Sequence, residues 1–152
     1  SATSSAVDVN SLIIDASDIP IAGFTKTKTQ PIQQGPATGV GVQFTNADRT
    51  RQLGDTVALL PDATTTKLAV QGAFSAAPGQ IGGAAGVPVQ VGETAMIYTG
   101  TVSGQAVTVL VFQQGRALVT IEFVSAPTDP VPPDVVTTVG QKQADKIKAG
   151  VQ

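Results

Sequence analysis

Carboxylates are the side chains in this sequence that come nearest to supporting chemistry, and they are few. The chain of 152 residues holds eleven Asp and Glu residues but no His and no Cys. This composition excludes the commonest general base, a thiolate nucleophile and a zinc site with nitrogen or sulfur ligands. Only Asp15 with Asp18, and Asp48 with Asp55, stand out as sequence clusters, and neither has the spacing of a calcium-binding loop. We interpret all four as turn or cap residues, and we expect no catalytic residue, no metal site and no cofactor.

Three further patterns resemble reactive or binding motifs, and each departs from what the chemistry needs. The glycine-rich run 82–86 does not match a dinucleotide-binding loop, and no clear helix follows it. The run 48–51 (DRTR) offers two guanidinium groups for a carboxylate or phosphate, but it is also typical of a solvated hairpin tip. A serine nucleophile would need Lys or Asp as its partner, so a His-free hydrolase stays open as an alternative function.

The overall charge excludes some partners. Charged residues make up 13% of the chain and the net charge is −2, so little attracts a nucleic acid or an anionic membrane surface. No apolar run reaches the ~18 residues that a membrane-spanning helix needs. We expect residues 1–7 to be a flexible tether and residues 8–152 to form a single domain.

The elements that must position any site are strands first and helices second. Residues 94–125 predict a three-stranded antiparallel meander, because Ser103-Gly104 and Gln114-Gly115 are tight-turn signals between β-prone runs. A hairpin is predicted at about 38–60, after an extended loop or edge segment at 20–37. Two main helices are predicted at about 62–77, capped by Asp62, and at about 134–149. The fold class that we expect is therefore α+β, an antiparallel sheet packed against two helices.

The register of the meander predicts two apolar faces. With Gln114-Gly115 as a two-residue turn, Phe112 faces Ala117 and Leu110 faces Val119. The first face is expected to lie under both helices. The second face is either covered by another layer or binds an apolar ligand or a partner. The candidate binding residues on and beside it are Met96, Tyr98, Val109, Val111, Arg116 and Leu118.

Three stretches also carry a resemblance to a known group of proteins. These are TVLVFQQGRALVTIEF at 108–123, the following proline-rich segment with its closing helix at 125–147, and PDATTTKLAV at 61–70. They resemble mycobacterial exported envelope lipoproteins of the LpqN kind and the extracytoplasmic sensor-like domains attached to mycobacterial serine/threonine kinases. The resemblance implies a location outside an actinobacterial plasma membrane, in the cell envelope or secreted, with a lipid anchor just ahead of Ser1. It transfers no catalytic residue.

The function expected from the sequence is that of a non-enzymatic cell-envelope protein or lipoprotein. It is expected to bind an apolar or amphipathic ligand such as a lipid, or an envelope protein partner, through the second face of the meander. Two alternatives stay open: a structural or sensory interaction module without a small ligand, and the His-free hydrolase.

Overall fold

The computed structural model describes residues 7–151 of the chain. Two short 3₁₀ turns at Val9–Ser11 and Ala16–Asp18 precede the larger elements. The predicted tether at residues 1–7 lies outside the described residues apart from Val7. The strands and helices are β1 (Thr25–Gln34), β2 (Ala37–Thr45), β3 (Gln52–Leu59), α1 (Ala63–Gln80), β4 (Val87–Pro88), β5 (Thr94–Val102), β6 (Gln105–Gln114), β7 (Ala117–Ser125) and α2 (Pro133–Gly150).

These seven strands form one antiparallel sheet in the order β1-β2-β3-β7-β6-β5-β4. Two meanders, β1 to β3 and β5 to β7, join side by side where β3 pairs with β7. The fold class is α+β, which confirms the prediction, including the meander at 94–125, the hairpin at about 38–60 (β2 and β3) and the two helices.

The strand β1 is the element that the sequence pattern identified least well. Residues 25–34 lack the apolar alternation of a half-buried strand, yet they pair along the whole of β2. A register shift between Lys26 and Lys28 bulges the strand, and Pro31 removes one backbone N–H. Such features are typical of an edge strand, because they hinder pairing with a further chain.

The helix α1 begins as predicted and ends later. The Asp62 side chain accepts a hydrogen bond from the backbone N–H of Thr65 at 2.7 Å, which satisfies a free donor of the first turn. The helix continues through Pro78 to Gln80 rather than ending at about 77. The Pro78 carbonyl then accepts from the N–H of Ile81 at 3.2 Å and closes the helix.

The turn between β6 and β7 lies one residue later than predicted. Gln114 pairs with Ala117, so the turn residues are Gly115 and Arg116, and Phe112 faces Val119 rather than Ala117. The pairing therefore shifts by an even number of residues, which leaves every side chain on its predicted face. The prediction of two apolar faces is unaffected.

The two helices lie on opposite faces of the sheet, which corrects the expectation that both cover the first face. Val136, Val139 and Ile147 of α2 share a buried cluster with the first face of the sheet and with the N-terminal segment. Val70 and Ala77 of α1 belong to a second buried cluster on the other face. The physical reason is that both faces of the meander are apolar, so each one needs its own covering layer.

Candidate functional site

The helix α1 covers most of the residues that the sequence singled out for binding. Tyr98 is 2% exposed, and Val109 and Val111 are buried with it. The Tyr98 hydroxyl donates to the Phe74 carbonyl of α1 at 3.1 Å. Together with the partly buried Met96 and Leu118, they form a second core under α1.

Arg116, the sixth candidate, lies apart in the turn between β6 and β7. Its guanidinium donates to the carbonyl of Leu60 at 3.0 Å. The structure therefore does not bring the six residues together on an open surface. Their binding role stays a prediction, and it would require α1 to leave the sheet.

The same face of the sheet is open beyond α1. Strands β1, β2, β3 and the adjoining side of β7 border a hollow of about 430 Å³, here called the open hollow. Its apolar side chains include Ile32 and Val124, and polar side chains outnumber them. Those polar residues are Lys28, Gln30, Gln43, Gln52, Thr56 and Glu122, and the buried residues Val42 and Asp55 also border the hollow.

Two glycines form the floor of the open hollow. Gly41 on β2 and Gly54 on β3 both line it. A Cβ atom added at Gly54 would meet no atom within 4 Å. One added at Gly41 would make only ordinary contacts, the shortest at 3.6 Å to the Thr56 hydroxyl. Packing within the chain therefore explains neither glycine, and the register is regular at both. Besides bulges and bends, a strand-interior glycine often marks a place where a ligand or another backbone approaches closely.

The charged groups of the open hollow lie at its two sides. Reading across the strands, Lys28 pairs with Gln43, Gln43 with Gly54, and Gly54 with Glu122. These four residues therefore occupy one row that crosses the sheet. Within this row, Gln43 also contacts a residue beside it: its side-chain amide donates to the Gln52 side-chain oxygen at 3.1 Å. The hollow thus presents a cation, a pair of amides, a bare floor and a carboxylate in that order.

Asp55 lies beneath this surface with its side chain on the first face. It occupies β3 between Val42 of β2 and Ile121 of β7, and it is 1% exposed. Within residues 7–151, neither carboxylate oxygen has a hydrogen-bond partner. Burial raises the pKa of the Asp55 carboxyl well above its ordinary value, because the apolar surroundings disfavour the charged form. This corrects the interpretation of Asp55 as a turn or cap residue.

Asp48 does behave as the turn residue that was predicted. It lies between β2 and β3, and its carboxylate accepts from the Thr50 hydroxyl at 2.6 Å and from the Thr50 N–H at 3.1 Å. These hydrogen bonds lower the pKa of Asp48. Asp48 lies in an exposed turn, whereas the Asp55 side chain is buried in the sheet. The two carboxyl groups therefore do not form an acid–base pair.

The neighbouring guanidinium of Arg51 is already occupied. It forms two hydrogen bonds to Asp129, at 2.8 and 2.9 Å, which tie the β2–β3 turn to the segment after β7. The Arg51 guanidinium lowers the pKa of Asp129 in turn. The two-arginine grip considered for the run 48–51 is therefore not available.

Asp15 and Asp18 cap the second 3₁₀ turn, as predicted. The Asp18 carboxylate accepts from the Asp15 N–H at 2.8 Å, and Lys146 of α2 lies 3.4 and 3.5 Å from the two carboxylates. Among residues 7–151, no group of three or more Asp or Glu side chains is placed to hold a metal ion. In the same part of the chain, no helix is both long and apolar enough to cross a membrane.

The open hollow escaped the sequence analysis although a signal for it was present. Gly39 and Gly41 alternate with Val40 and Val42 on β2, and Gly54 stands at the matching phase on β3. Val40 and Val42 predicted which face of β2 is buried. The glycines on the other face indicated a surface without side chains.

Comparison with known proteins finds a similar fold among solved structures. No protein-family model and no curated protein matches the sequence. The chain is similar to the extracellular domain of PknH from Mycobacterium tuberculosis, with a TM-score of 0.65 and 10% sequence identity. The match covers 93% of this chain and 95% of that one. At this identity the similarity concerns the fold alone.

Proposed function

We propose that this protein is a non-enzymatic, extracytoplasmic binding module, and that its binding surface is the open hollow. The observation that carries the proposal is the pair of strand-interior glycines, Gly41 and Gly54. A glycine inside a strand costs about 0.5–1 kcal/mol relative to alanine. No neighbouring atom forbids a side chain at Gly54, so a requirement for close approach from outside explains the glycine.

The lining favours a polar ligand over a lipid. Two charged and four amide or hydroxyl side chains line the open hollow. An apolar ligand is normally held by a mostly apolar pocket that encloses it. The apolar crevice beside Phe24 and Pro132 measures only about 20 Å³, which is room for about one water molecule. The proposal therefore moves the expected ligand from the apolar class to the polar class.

Two observations support a binding role rather than catalysis. Lys28 and Glu122 stand at opposite sides of the open hollow with β2 and β3 between them, which leaves no acid–base pair in contact. The similar fold is that of an extracellular domain, and this supports the extracytoplasmic location. The structural or sensory module without a small ligand, and the His-free hydrolase, remain the alternatives.

A titration followed by amide NMR tests the proposal. The ¹⁵N-labelled protein is titrated separately with an aqueous extract and with a lipid extract of actinobacterial envelopes. We expect the aqueous extract to shift the Gly41 and Gly54 amide resonances and the lipid extract to leave them in place. Shifts centred on Tyr98 and α1 with the lipid extract would overturn the proposal in favour of the apolar second face.

Two glycine variants control the titration. Gly54→Val fills the floor of the open hollow and is expected to abolish the shifts. Gly72→Ala adds a methyl group at a position of α1 that also has no atom within 4 Å, and it is expected to respond like the wild type. Equal responses from both variants would contradict a role for the open hollow.

A further inference from the structure

The row of residues across the open hollow has opposite charges at its two ends. Lys28 on β1 and Glu122 on β7 are exposed, and Gln43 and Gly54 lie between them in register. Three spacings of ~4.8 Å between neighbouring strands separate the two backbones by about 14 Å. Among the described residues, the two side chains form no ion pair with each other.

Neither charge is compensated by its neighbours in the sheet. The cross-strand neighbours of Glu122 are Gly54 and Val109, and that of Lys28 is Gln43. Within residues 7–151, the ion pairs use other side chains, namely Lys26, Arg51 and Lys146 with Asp15, Asp18 and Asp129. The row therefore offers one free cation and one free carboxylate to a ligand that carries both complementary charges.

The middle of the row is suited to amide groups. Gln43 and Gln52 share one hydrogen bond between their amides, which leaves further donors and acceptors on both side chains. The bare backbone at Gly54 lets a flat group approach closely. Among residues 7–151, the lining includes no aromatic side chain on which a sugar ring would stack.

We propose that the open hollow binds a short zwitterionic peptide, with its amino group at Glu122 and its carboxylate at Lys28. An extended chain spans at most ~3.3–3.6 Å per residue, so four residues match the separation of about 14 Å between the backbones of Lys28 and Glu122. The peptide crosses the strands, and its amides lie over Gly54 beside Gln43 and Gln52. This inference rests on the proposed function and specifies its ligand class.

The test uses tetraalanine, which carries the two end charges and no charged side chain. The full chain is titrated with tetraalanine, with its N-acetylated form and with its C-amidated form, and the Gly41 and Gly54 amides are followed by NMR. We expect tetraalanine to shift both amides. Each blocked form is expected to bind about three- to tenfold more weakly, because it loses one charge-assisted contact.

Four charge variants complete the test. Glu122→Gln is expected to lose the preference for the free amino group, and Lys28→Gln the preference for the free carboxylate. Glu93→Gln retains the side-chain oxygen that accepts from the Gly115 N–H, and Lys142→Gln removes an exposed charge on α2. Both are expected to keep the wild-type preferences.

The outcomes separate this inference from the proposed function. Equal binding of blocked and free peptides, or no shift with tetraalanine, overturns the inference. If tetraalanine fails while the aqueous envelope extract still shifts Gly41 and Gly54, the proposed function stands and only the ligand class is wrong. If neither shifts these amides, both fail.

Discussion

The side-chain oxygen of Gln143 accepts a hydrogen bond from the backbone N–H of Ile14 at 3.2 Å, across 129 positions of the chain. The amide group of the same side chain donates to the Leu12 carbonyl. Gln143 is fully buried on α2, so its two hydrogen bonds replace the partners that a strand would give to this backbone. Gln143 thereby fixes the N-terminal segment over the first face of the sheet.

Replacing Gln143 by methionine tests this anchoring role. Gln143→Met retains the length of the side chain but leaves the Ile14 N–H and the Leu12 carbonyl buried without partners. We expect the free energy of unfolding to fall by about 2–4 kcal/mol, measured by urea denaturation. The control Gln141→Met lies on the exposed side of α2 and is expected to change stability little. Equal effects from both variants would argue against the anchor.

Replacing Asp55 by valine removes the buried carboxyl without a large change in volume. Because neither carboxylate oxygen has a partner within residues 7–151, we expect Asp55→Val to raise the free energy of unfolding at neutral pH by about 1–3 kcal/mol. Urea denaturation checks the prediction. A destabilised variant would show that the carboxyl contributes a favourable interaction.

The pH dependence of stability gives a second test of Asp55. The pKa of its carboxyl is raised in the folded protein, so the folded state holds this proton more tightly than the unfolded chain. Stability should therefore fall as the pH rises above the ordinary carboxyl pKa and through the raised one. We expect this fall in the wild type and in the turn variant Asp48→Asn, but not in Asp55→Val. Urea midpoints across the pH range measure it.

The hydrogen bond of Tyr98 tests how α1 is held on the second face. Tyr98→Phe removes only the hydroxyl that donates to the Phe74 carbonyl, and we expect a loss of about 0.5–1.5 kcal/mol. Circular dichroism during urea unfolding gives the value. Since Tyr98 is the only tyrosine and Trp is absent, wild-type fluorescence at this one site can report whether α1 detaches. Detachment of α1 well before the sheet unfolds would revive ligand binding beneath this helix.

The sequence predicted those elements for which the spacing of apolar residues and the position of turn residues indicate the same secondary structure. The meander followed from Ser103-Gly104 and from the glycine at 115, and Val136, Val139 and Ile147, which stand at helical spacing, face inward on α2. The strand β1 could not be recognised in the same way, because Thr, Gln and Lys fill both of its faces. The side on which each helix packs depends on the path of the chain between elements, and two apolar faces do not specify it.

The candidate site was harder to predict because its lining residues come from four different strands. Glu122 becomes a neighbour of Gly54 only once β3 pairs with β7, and that pairing joins segments far apart in sequence. Asp55 was more accessible to prediction. It stands between Leu53 and Val57 at the spacing of one strand face, so the same alternation could have predicted a buried carboxyl in place of the turn or cap residue that we expected.

The stability of Gly54→Val tests the central claim most directly, namely that this glycine serves an approaching ligand rather than the fold. We expect Gly54→Val to unfold at the same or a higher urea concentration than the wild type, since its side chain enters open space and valine favours strands. Gly39→Val is the matched contrast, because its Cβ would collide with the Val57 carbonyl, and it should be strongly destabilised. A loss of stability at Gly54 comparable to that at Gly39 would contradict the account.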